Sequence, residues 1–291
     1  MEEKLAYFLR SINGKLITTN NLLVEKILKL FFAISVSIYR NTKRSTKISS
    51  ETIIDNFDSD IKMSIDKGKQ MGAAIYWTGF HEFREFIFLH RFLKPNMIFV
   101  DVGANQGEYT LFAAKRLRSG KVLAFEPLPS ISQRLKKNIV LNNLVNVDVF
   151  ELGLAEEDRE LPIYEIEDIH EGLATLYPEE QQKKQAFLIK LVTLDETCET
   201  KGINRIDFIK LDIEGGELNA LRGATSILKR DRPALMIEIN ERTYNNAGYT
   251  ISEVKSLLDD LKYRPYQIGK RGKLEPAVTL PTLGNVVFLP S

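Results

Sequence analysis

The chain lacks several features that would point directly to a function. Its 291 residues include one cysteine, Cys198. An internal disulfide framework and a cysteine-rich zinc site are therefore excluded, and a reducing cytosol fits. Long apolar runs are also missing. Leu30–Tyr39 comes nearest, but it is ten residues long and Glu25, Lys26 and Lys29 interrupt the stretch before it. A spanning helix needs about 20 apolar residues, so none is expected. No small-residue cleavage site follows, and no signal peptide is expected either. Charge of one sign is not in excess: 40 Lys and Arg meet 39 Asp and Glu, a net charge of +1. That balance argues against a dedicated nucleic-acid binder. No internal repeat is visible. The remaining composition, 44% hydrophobic and 27% charged, is that of a globular protein with length for one large domain or a domain with an appendage.

The charge is unevenly spread. Residues 1–48 hold nine Lys and Arg against Glu2, Glu3 and Glu25, a balance of +6, which leaves −5 for the remainder. Residues 1–60 read as a basic, mainly helical extension. Packing on the body or on another subunit is the favoured reading of its helix over Asn20–Arg40. A basic amphipathic helix carrying Phe31 and Phe32 can also lie on an anionic membrane surface. Thr42–Ser50 is polar and reads as a linker. Residues 61–97 read as a cap segment, with a weak strand at Ile61–Ile65. Seven aromatics crowd Ala73–Phe92, most of them expected in the core. From Phe80 the spacing Phe80, Phe83, Ile87 suits one helix face, and the helix should stop before Pro95. His81, Glu82 and Glu85 share this segment, at the place where a helix usually covers a ligand mouth. His81 and Glu82 are substrate-side candidates, although for His81 a structural role is favoured over that of a base.

The stretch that organises the chain is Met97–Tyr109, MIFVDVGANQGEY. A short apolar run ends at Asp101 and Val102; Gly103, Asn105 and Gly107 follow, and a helical pattern opens. Strand, tight glycine turn, helix is the start of a nucleotide-binding βαβ unit. Gly103 allows a sharp turn and close approach of a ligand to bare backbone. Asn105 tolerates the left-handed conformation that such a turn needs. The helix aims its free N–H groups and positive dipole end at the loop. Nineteen positions past Gly107, the strand Lys121–Phe125 ends in Glu126, the usual place of an acidic ribose ligand. The loop is not spaced as G-x-G-x-x-G. It reads D-x-G-x-N-x-G, close to the loop of S-adenosylmethionine enzymes. That cofactor has a carboxylate for the helix N-terminus, and an ammonium and a sulfonium that suit Asp101.

Further strands are expected at Val147–Leu152, Glu160–Ile166, Phe187–Val192, Ile206–Ile213, Ala234–Asn240, Arg264–Ile268 and Val286–Leu289. Helices are expected over Ser130–Asn142, Gly216–Lys229 and Ile251–Lys262, and Glu167–Gln185 is polar and poor in helix signals. Alternating strands and helices predict an α/β fold with a mostly parallel sheet covered on both faces. Only one mononucleotide-binding half is visible, whereas a dinucleotide site usually wants two. In IDFIKLDIE, Phe208, Lys210, Asp212 and Glu214 share one face. In LMIEIN, Met236, Glu238 and Asn240 do the same. Charges inside a buried strand need a partner or a job. If the two strands are neighbours, Lys210 can pair with Glu238 and Asp212 lies near Asn240. Asp212, Glu214, Glu238 and Asn240 would then stand at the carboxyl edge of the sheet with Asp101 and Glu126, where open α/β sheets bind ligands.

Taken together, YWTGFHEFREF, FVDVGANQGEYT, VLAFEP, ELGLAEEDRELPIY, VTLDE, IDFIKLDIEGGELNALRGA and ALMIEIN resemble the FkbM family of S-adenosylmethionine-dependent methyltransferases. The resemblance covers roughly residues 75–240. It implies a Rossmann-like class I methyltransferase fold, a mostly parallel seven-stranded sheet, over residues 98–291. It also implies O-methylation of a hydroxyl on a sugar, glycan or secondary metabolite. Carried over by motif, Asp101, Gly103, Asn105 and Gly107 would hold the methionine part of the cofactor, with Tyr109 and Thr110 behind them. Glu126 and Pro127 would meet the ribose, and Gly153, Leu154 and Ala155 would flank the adenine. Asp212 and Glu214 would lie near the transferred methyl group, with Glu238 and Asn240 toward the substrate. Asp212 is the first choice of base and Glu214 the second. No metal is expected, since the close spacing of these carboxylates serves an ion-pair network equally well. The alternatives are an NAD-type Rossmann oxidoreductase, which the loop spacing disfavours, and a methyltransferase-like protein that only binds. Base N-methylation is disfavoured because no N/D-P-P-aromatic tetrapeptide follows a strand. The expected setting is cytoplasmic, with a peripheral membrane or subunit contact through residues 1–48.

Overall fold

The structure is a computed structural model that describes residues 2–19, 21–42, 50–165, 174–179 and 185–291. Most of the expected linker Thr42–Ser50 and most of the polar segment Glu167–Gln185 lie outside the described residues. Two helices come first, α1 (Glu2–Thr18) and α2 (Leu22–Thr42), followed by a small antiparallel pair, β1 (Glu51–Ile54) and β2 (Met63–Asp66). Then come α3 (Gln70–Thr78) and α4 (Phe83–Phe92). The helix expected from Phe80 thus begins three residues later. Gly79, at φ 93°, ends α3 and turns the chain, so His81 and Glu82 fall in the break between two helices. Tyr76, Trp77, Phe80, Phe86 and Phe88 are buried, as expected of core aromatics.

The helical opening is bound into this layer. Ala6, Leu9 and Ile17 belong to the same apolar cluster as Phe80 and Phe86. Arg10 is buried; its Nε donates to Asn56 Oδ1 at 2.7 Å and its Nη1 to the Tyr76 carbonyl at 2.6 Å. Asn13 donates to the Thr78 carbonyl at 3.0 Å and to Ser35 Oγ at 2.9 Å. The Arg10 guanidinium and the Asn13 amide nitrogen have thus found acceptors, which is the condition for burying such donors.

The body begins with β3 (Ile98–Val102), α5 (Glu108–Arg116), β4 (Lys121–Phe125), α6 (Pro129–Leu141) and β5 (Val147–Phe150). Four strands then make a side sheet: β6 (Gly153–Leu154), β7 (Arg159–Glu165), β8 (Ala174–Thr175) and β9 (Gln185–Val192), in the order β6-β9-β7-β8. After α7 (Leu194–Thr200) come β10 (Phe208–Leu211), α8 (Glu217–Arg222), α9 (Thr225–Arg230) and β11 (Ala234–Asn240). The helix expected over Gly216–Lys229 is therefore two. Gly223 separates them where a Cβ would stand 1.9 Å from the Ala155 carbonyl oxygen. The chain continues through α10 (Glu241–Asn246), α11 (Ile251–Asp260), β12 (Tyr263–Ile268), β13 (Leu274–Pro276) and β14 (Leu283–Pro290).

The main sheet has eight strands in the order β13-β12-β14-β11-β10-β3-β4-β5, one more than expected because short β13 extends the edge. From β5 to β11 all pairs are parallel; β14 then enters antiparallel between β11 and β12. Numbered along the chain, the parallel part runs 3-2-1-4-5. Its order reverses between β3 and β10, and that switch point is where an open α/β sheet has its ligand crevice. The antiparallel neighbour of β11 also means that no second mononucleotide half exists among the described residues, which removes support from the dinucleotide alternative.

The alternation of the strands decides what faces what. Phe99, Val122, Phe208 and Met236 enter one apolar cluster; Val100, Leu123, Ile209 and Leu235 enter the other. Asp101 and Lys210 share the first of these faces and are register partners across β3 and β10. Two opposite charges in adjacent central strands thus answer each other inside the sheet.

Candidate active site

A cavity of about 790 Å³ opens at the switch point, within the range of cofactor and substrate sites. Its near wall is the loop after β3. Gly103 is left-handed (φ 78°), as are Asn105 (φ 49°) and Gly107 (φ 100°), so the turn has the conformation its residues predict. The Gly103 and Ala104 amides both donate to the Phe125 carbonyl at 3.0 Å, tying the loop to β4. The sharp turn expected of Gly103 is made, and a second need for glycine comes from packing. A Cβ on Gly103 would lie 1.9 Å from the Asp212 carbonyl oxygen. It is the end of the neighbouring strand, not a ligand, that needs this space.

Glu126, at the end of β4, lines the cavity and is 6% exposed. One oxygen accepts the Asn105 amide at 2.9 Å and the other the Leu128 amide at 3.0 Å. A carboxylate offers about four acceptor positions, so about two remain for the hydroxyls of a ribose. Burial pushes its pKa up to about 7, against the two backbone hydrogen bonds, which act to lower it. Pro127, Gly153 and Leu154 line the same end, with Leu128, Leu152 and Ile163 as apolar neighbours. Ala155 is not among the lining residues; it is buried, and its amide donates to the Val192 carbonyl.

Three residues expected to hold the cofactor stand behind the wall instead. Asp101, Gly107 and Thr110 do not line the cavity. Asp101 is fully buried, and its Oδ2 accepts the Thr110 hydroxyl at 2.6 Å, while Oδ1 has no hydrogen-bond partner. The pleat of β3 turns it toward α5 and Lys210. Gly107 is where a Cβ would come 2.6 Å from Leu135 Cδ1 of α6. Tyr109, by contrast, lines the cavity, with its hydroxyl donating to Glu82 Oε2 at 2.6 Å and its ring stacked on Phe86.

The far wall carries the charges. Lys210 is 2% exposed and its Nζ lies 3.0 Å from Asp212 Oδ2 and 4.5 Å from the centroid of the Tyr109 ring. Burial opposes its charge, yet Asp212 and Asp101 hold its pKa above the ordinary lysine value. The expected pairing of Lys210 with Glu238 is not what forms. Lys210 is level with Met236 in the register, and its partner is two residues along its own strand. Asn240, expected near Asp212, lines the same cavity and also caps α10, accepting the Thr243 amide at 3.5 Å. Glu238 Oε2 is buried without a hydrogen-bond partner. Burial, and then Asp212, push the pKa of both Glu238 and Glu214 upward. Asp212, Glu214 and Glu238 can each present an oxygen within 4.8 Å of the others, a spacing that would also admit a cation.

Glu214 reaches this cluster because the chain turns sharply at the end of β10: Glu214 has φ 53° and Gly215 φ 104°. Glu217, which the sequence reading passed over, holds that turn. It is 1% exposed and accepts the Ile213 amide at 2.9 Å, the Gly215 amide at 3.0 Å and the Tyr249 hydroxyl at 3.2 Å. The E-G-G-E spacing was the available signal: a carboxylate directly after a glycine pair can reach back to the amides of the turn. Glu108 was also missed. It lines the cavity, accepts the His81 amide at 2.7 Å, and burial pushes its pKa up to about 8. His81 itself is exposed and lines the cavity. It lacks the burial of a structural histidine, so that reading is corrected. Glu82 lines the cavity beside it and accepts from Tyr109 and from Asn285 Nδ2 at 2.6 Å each.

A parallel Rossmann-like half, a glycine loop, an acidic residue closing the second strand and a polar far wall define a class I methyltransferase. A family model described as the methyltransferase FkbM domain matches residues 101–265, more than half of the chain. The chain belongs to the FkbM methyltransferase family, and S-adenosylmethionine is its cofactor. Methyltransferase sdnD of Sordaria araneosa is 28% identical over 197 residues, covering 58% of this chain and 74% of that protein. The AMB antimetabolite synthetase AmbE of Pseudomonas aeruginosa is 26% identical over 213 residues, 62% of this chain but 10% of that protein. Among solved structures, the methyltransferase FkbM of Methylobacillus flagellatus KT matches at 15% identity with a TM-score of 0.46, covering 91% of this chain and 60% of that one.

Proposed function

We propose that the chain is a cytoplasmic O-methyltransferase acting on a hydroxyl of a small molecule or glycan. The observation that carries this reading is the Asp212 carboxylate. It stands at the switch point of the sheet, held by Lys210 at 3.0 Å, with its side chain 30% exposed, and it lines the cavity that extends from Glu126 to Glu238. Bound S-adenosylmethionine supplies a methyl group already activated by its sulfonium. The residues therefore have two tasks, to align an acceptor oxygen and to take its proton. Glu126 fixes the nucleoside end and the 103–105 backbone the methionine end. Asp212 accepts the hydroxyl proton, and Lys210, level with Asp101 in the register, fixes the direction of that carboxylate. Glu214 and Glu238, pushed toward their protonated forms, can donate hydrogen bonds to neighbouring acceptor oxygens. Asn246, Thr282 and Arg242 continue the polar lining outward, which suits a hydroxyl-rich acceptor. The test is transfer of a labelled methyl group to sugars, glycolipids and small phenols. Label fixed in an ether linkage supports the reading. Binding without transfer to any of them would favour the non-catalytic alternative.

A further inference from the structure

The helical opening of the chain presents a second surface that methyl transfer does not use. Among the described residues, fourteen large apolar side chains are exposed, and eight of them lie between Leu5 and Ile34. Leu23, Ile27, Leu30 and Ile34 follow one another at four, three and four residues, a single stripe along α2. Leu23 and Leu30 are 69% and 63% exposed. This stripe is not the face that packs on the body. Glu25, Leu28 and Ser35 are the buried ones, and Phe32 meets Phe83 at 4.5 Å between ring centroids. On α1, Leu5 and Phe8 are exposed, and the Phe8 ring meets Phe31 of α2 edge-on at 5.9 Å. The apolar surface therefore runs from one helix to the other.

The charges around it are basic. Lys4 and Lys15 on α1 are exposed, as are Lys26, Lys29 and Arg40 on α2. By the 3.6-residue period, Lys4 and Lys15 fall on the same side of α1 as Phe8, and Lys26 falls beside the apolar stripe of α2. The carboxylates mostly look elsewhere: Glu2 lies 3.7 Å from Lys67 of the body, and Glu25 is buried between Arg271 at 2.8 Å and Lys29 at 2.5 Å, which takes Lys29 out of the free basic charges. No helix among the described residues is long and apolar enough to cross a membrane.

We propose that α1 and α2 together form a docking face for the surface of an anionic lipid bilayer. The apolar stripe of α2 enters the boundary between headgroups and acyl chains, and the lysines meet the phosphates. The charge decides between occupants. A second copy of this chain would bring its own lysines against these, whereas an anionic headgroup layer neutralises them.

The test uses the full chain and vesicle sedimentation. One set of vesicles is phosphatidylcholine alone; the other carries about 30 mol% phosphatidylglycerol. The expected result is at least about tenfold stronger binding to the anionic set, weakened as salt is raised from about 0.1 to about 0.5 M. Leu30→Glu with Ile34→Glu should abolish binding, and Lys15→Gln with Lys26→Gln should weaken it on anionic vesicles. Both pairs are exposed, so melting temperature and binding of S-adenosylhomocysteine should stay as in the parent. Absence of binding to either set overturns the proposal, as does binding that survives Leu30→Glu with Ile34→Glu. A dimer in light scattering that those substitutions break, without vesicle binding, overturns it in favour of a second copy.

Discussion

Replacing Asp212 by Asn separates catalysis from structure at the centre of the site. The substitution keeps the shape and one acceptor oxygen but removes the charge and the ability to take a proton. If Asp212 receives the hydroxyl proton, single-turnover methyl transfer should fall by about 10²–10⁴-fold, about 3–5 kcal/mol in the barrier. The structural effect should be smaller. Breaking a buried ion pair costs about 3–5 kcal/mol when a charge is left uncompensated. Here the Asn oxygen can still accept from Lys210, Asp101 remains beside the ammonium, and the Asp212 side chain is 30% exposed, so solvent screens part of the loss. About 1–2 kcal/mol is the expected cost, a fall in melting temperature of about 2–3 °C for a chain of this size. Affinity for S-adenosylhomocysteine should change little. A normal transfer rate beside a lowered melting temperature would refute the assignment and leave Asp212 as the partner of Lys210 only, with Glu214 the next residue to test.

Further predictions rest on the same geometry. Gly103→Ala should lower stability sharply as well as cofactor binding, because the new methyl meets the Asp212 carbonyl oxygen at 1.9 Å on a backbone with φ 78°; a variant that melts like the parent would show that the loop can move aside. The buried carboxylates set a pH dependence. Burial pushes Glu126 and Glu217 up to about 7 and Glu108 to about 8 from the ordinary value of 4.5. The folded chain then binds more protons than the unfolded one between those limits, so stability is fully present below about 4.5 and is lost as pH rises through about 7–8. Melting temperature should fall from about pH 5.5 to about pH 8.5, with a shallower slope in Glu108→Gln; a rise over that interval would contradict the burial argument.

Much of the fold was legible because its signals are local. The β3 loop needs left-handed residues and has Gly, Asn and Gly at those positions, and β4 and β11 are apolar runs with sharp ends. What was illegible depends on register and on backbone partners. Whether Lys210 meets Glu238 or Asp212 turns on which residues two strands bring level, and the register sets Lys210 beside Met236. The direction of Asp101 was legible as a period-two argument, but not that α5 and Lys210 would enclose it. Glu217 acts on amides that come within reach only after the Gly215 turn is made, so its side chain resembles any acidic residue at a helix start. For residues 1–48 the favoured contact with the body is made by α1 and α2, but the two helices also have apolar side chains on a second, exposed face, which the pattern of apolar residues does not separate from the buried one.

The position of the cofactor is tested most directly at Glu126. Calorimetric titration of S-adenosylmethionine at about pH 8, where Glu126 is mostly ionised, compares the parent with Glu126→Ala. Loss of a charged acceptor for two hydroxyls is worth about 2–3 kcal/mol, a weakening of about 30–150-fold. An affinity unchanged in a variant that still melts cooperatively would contradict the placement of the ribose on Glu126, and with it the assignment of the cavity.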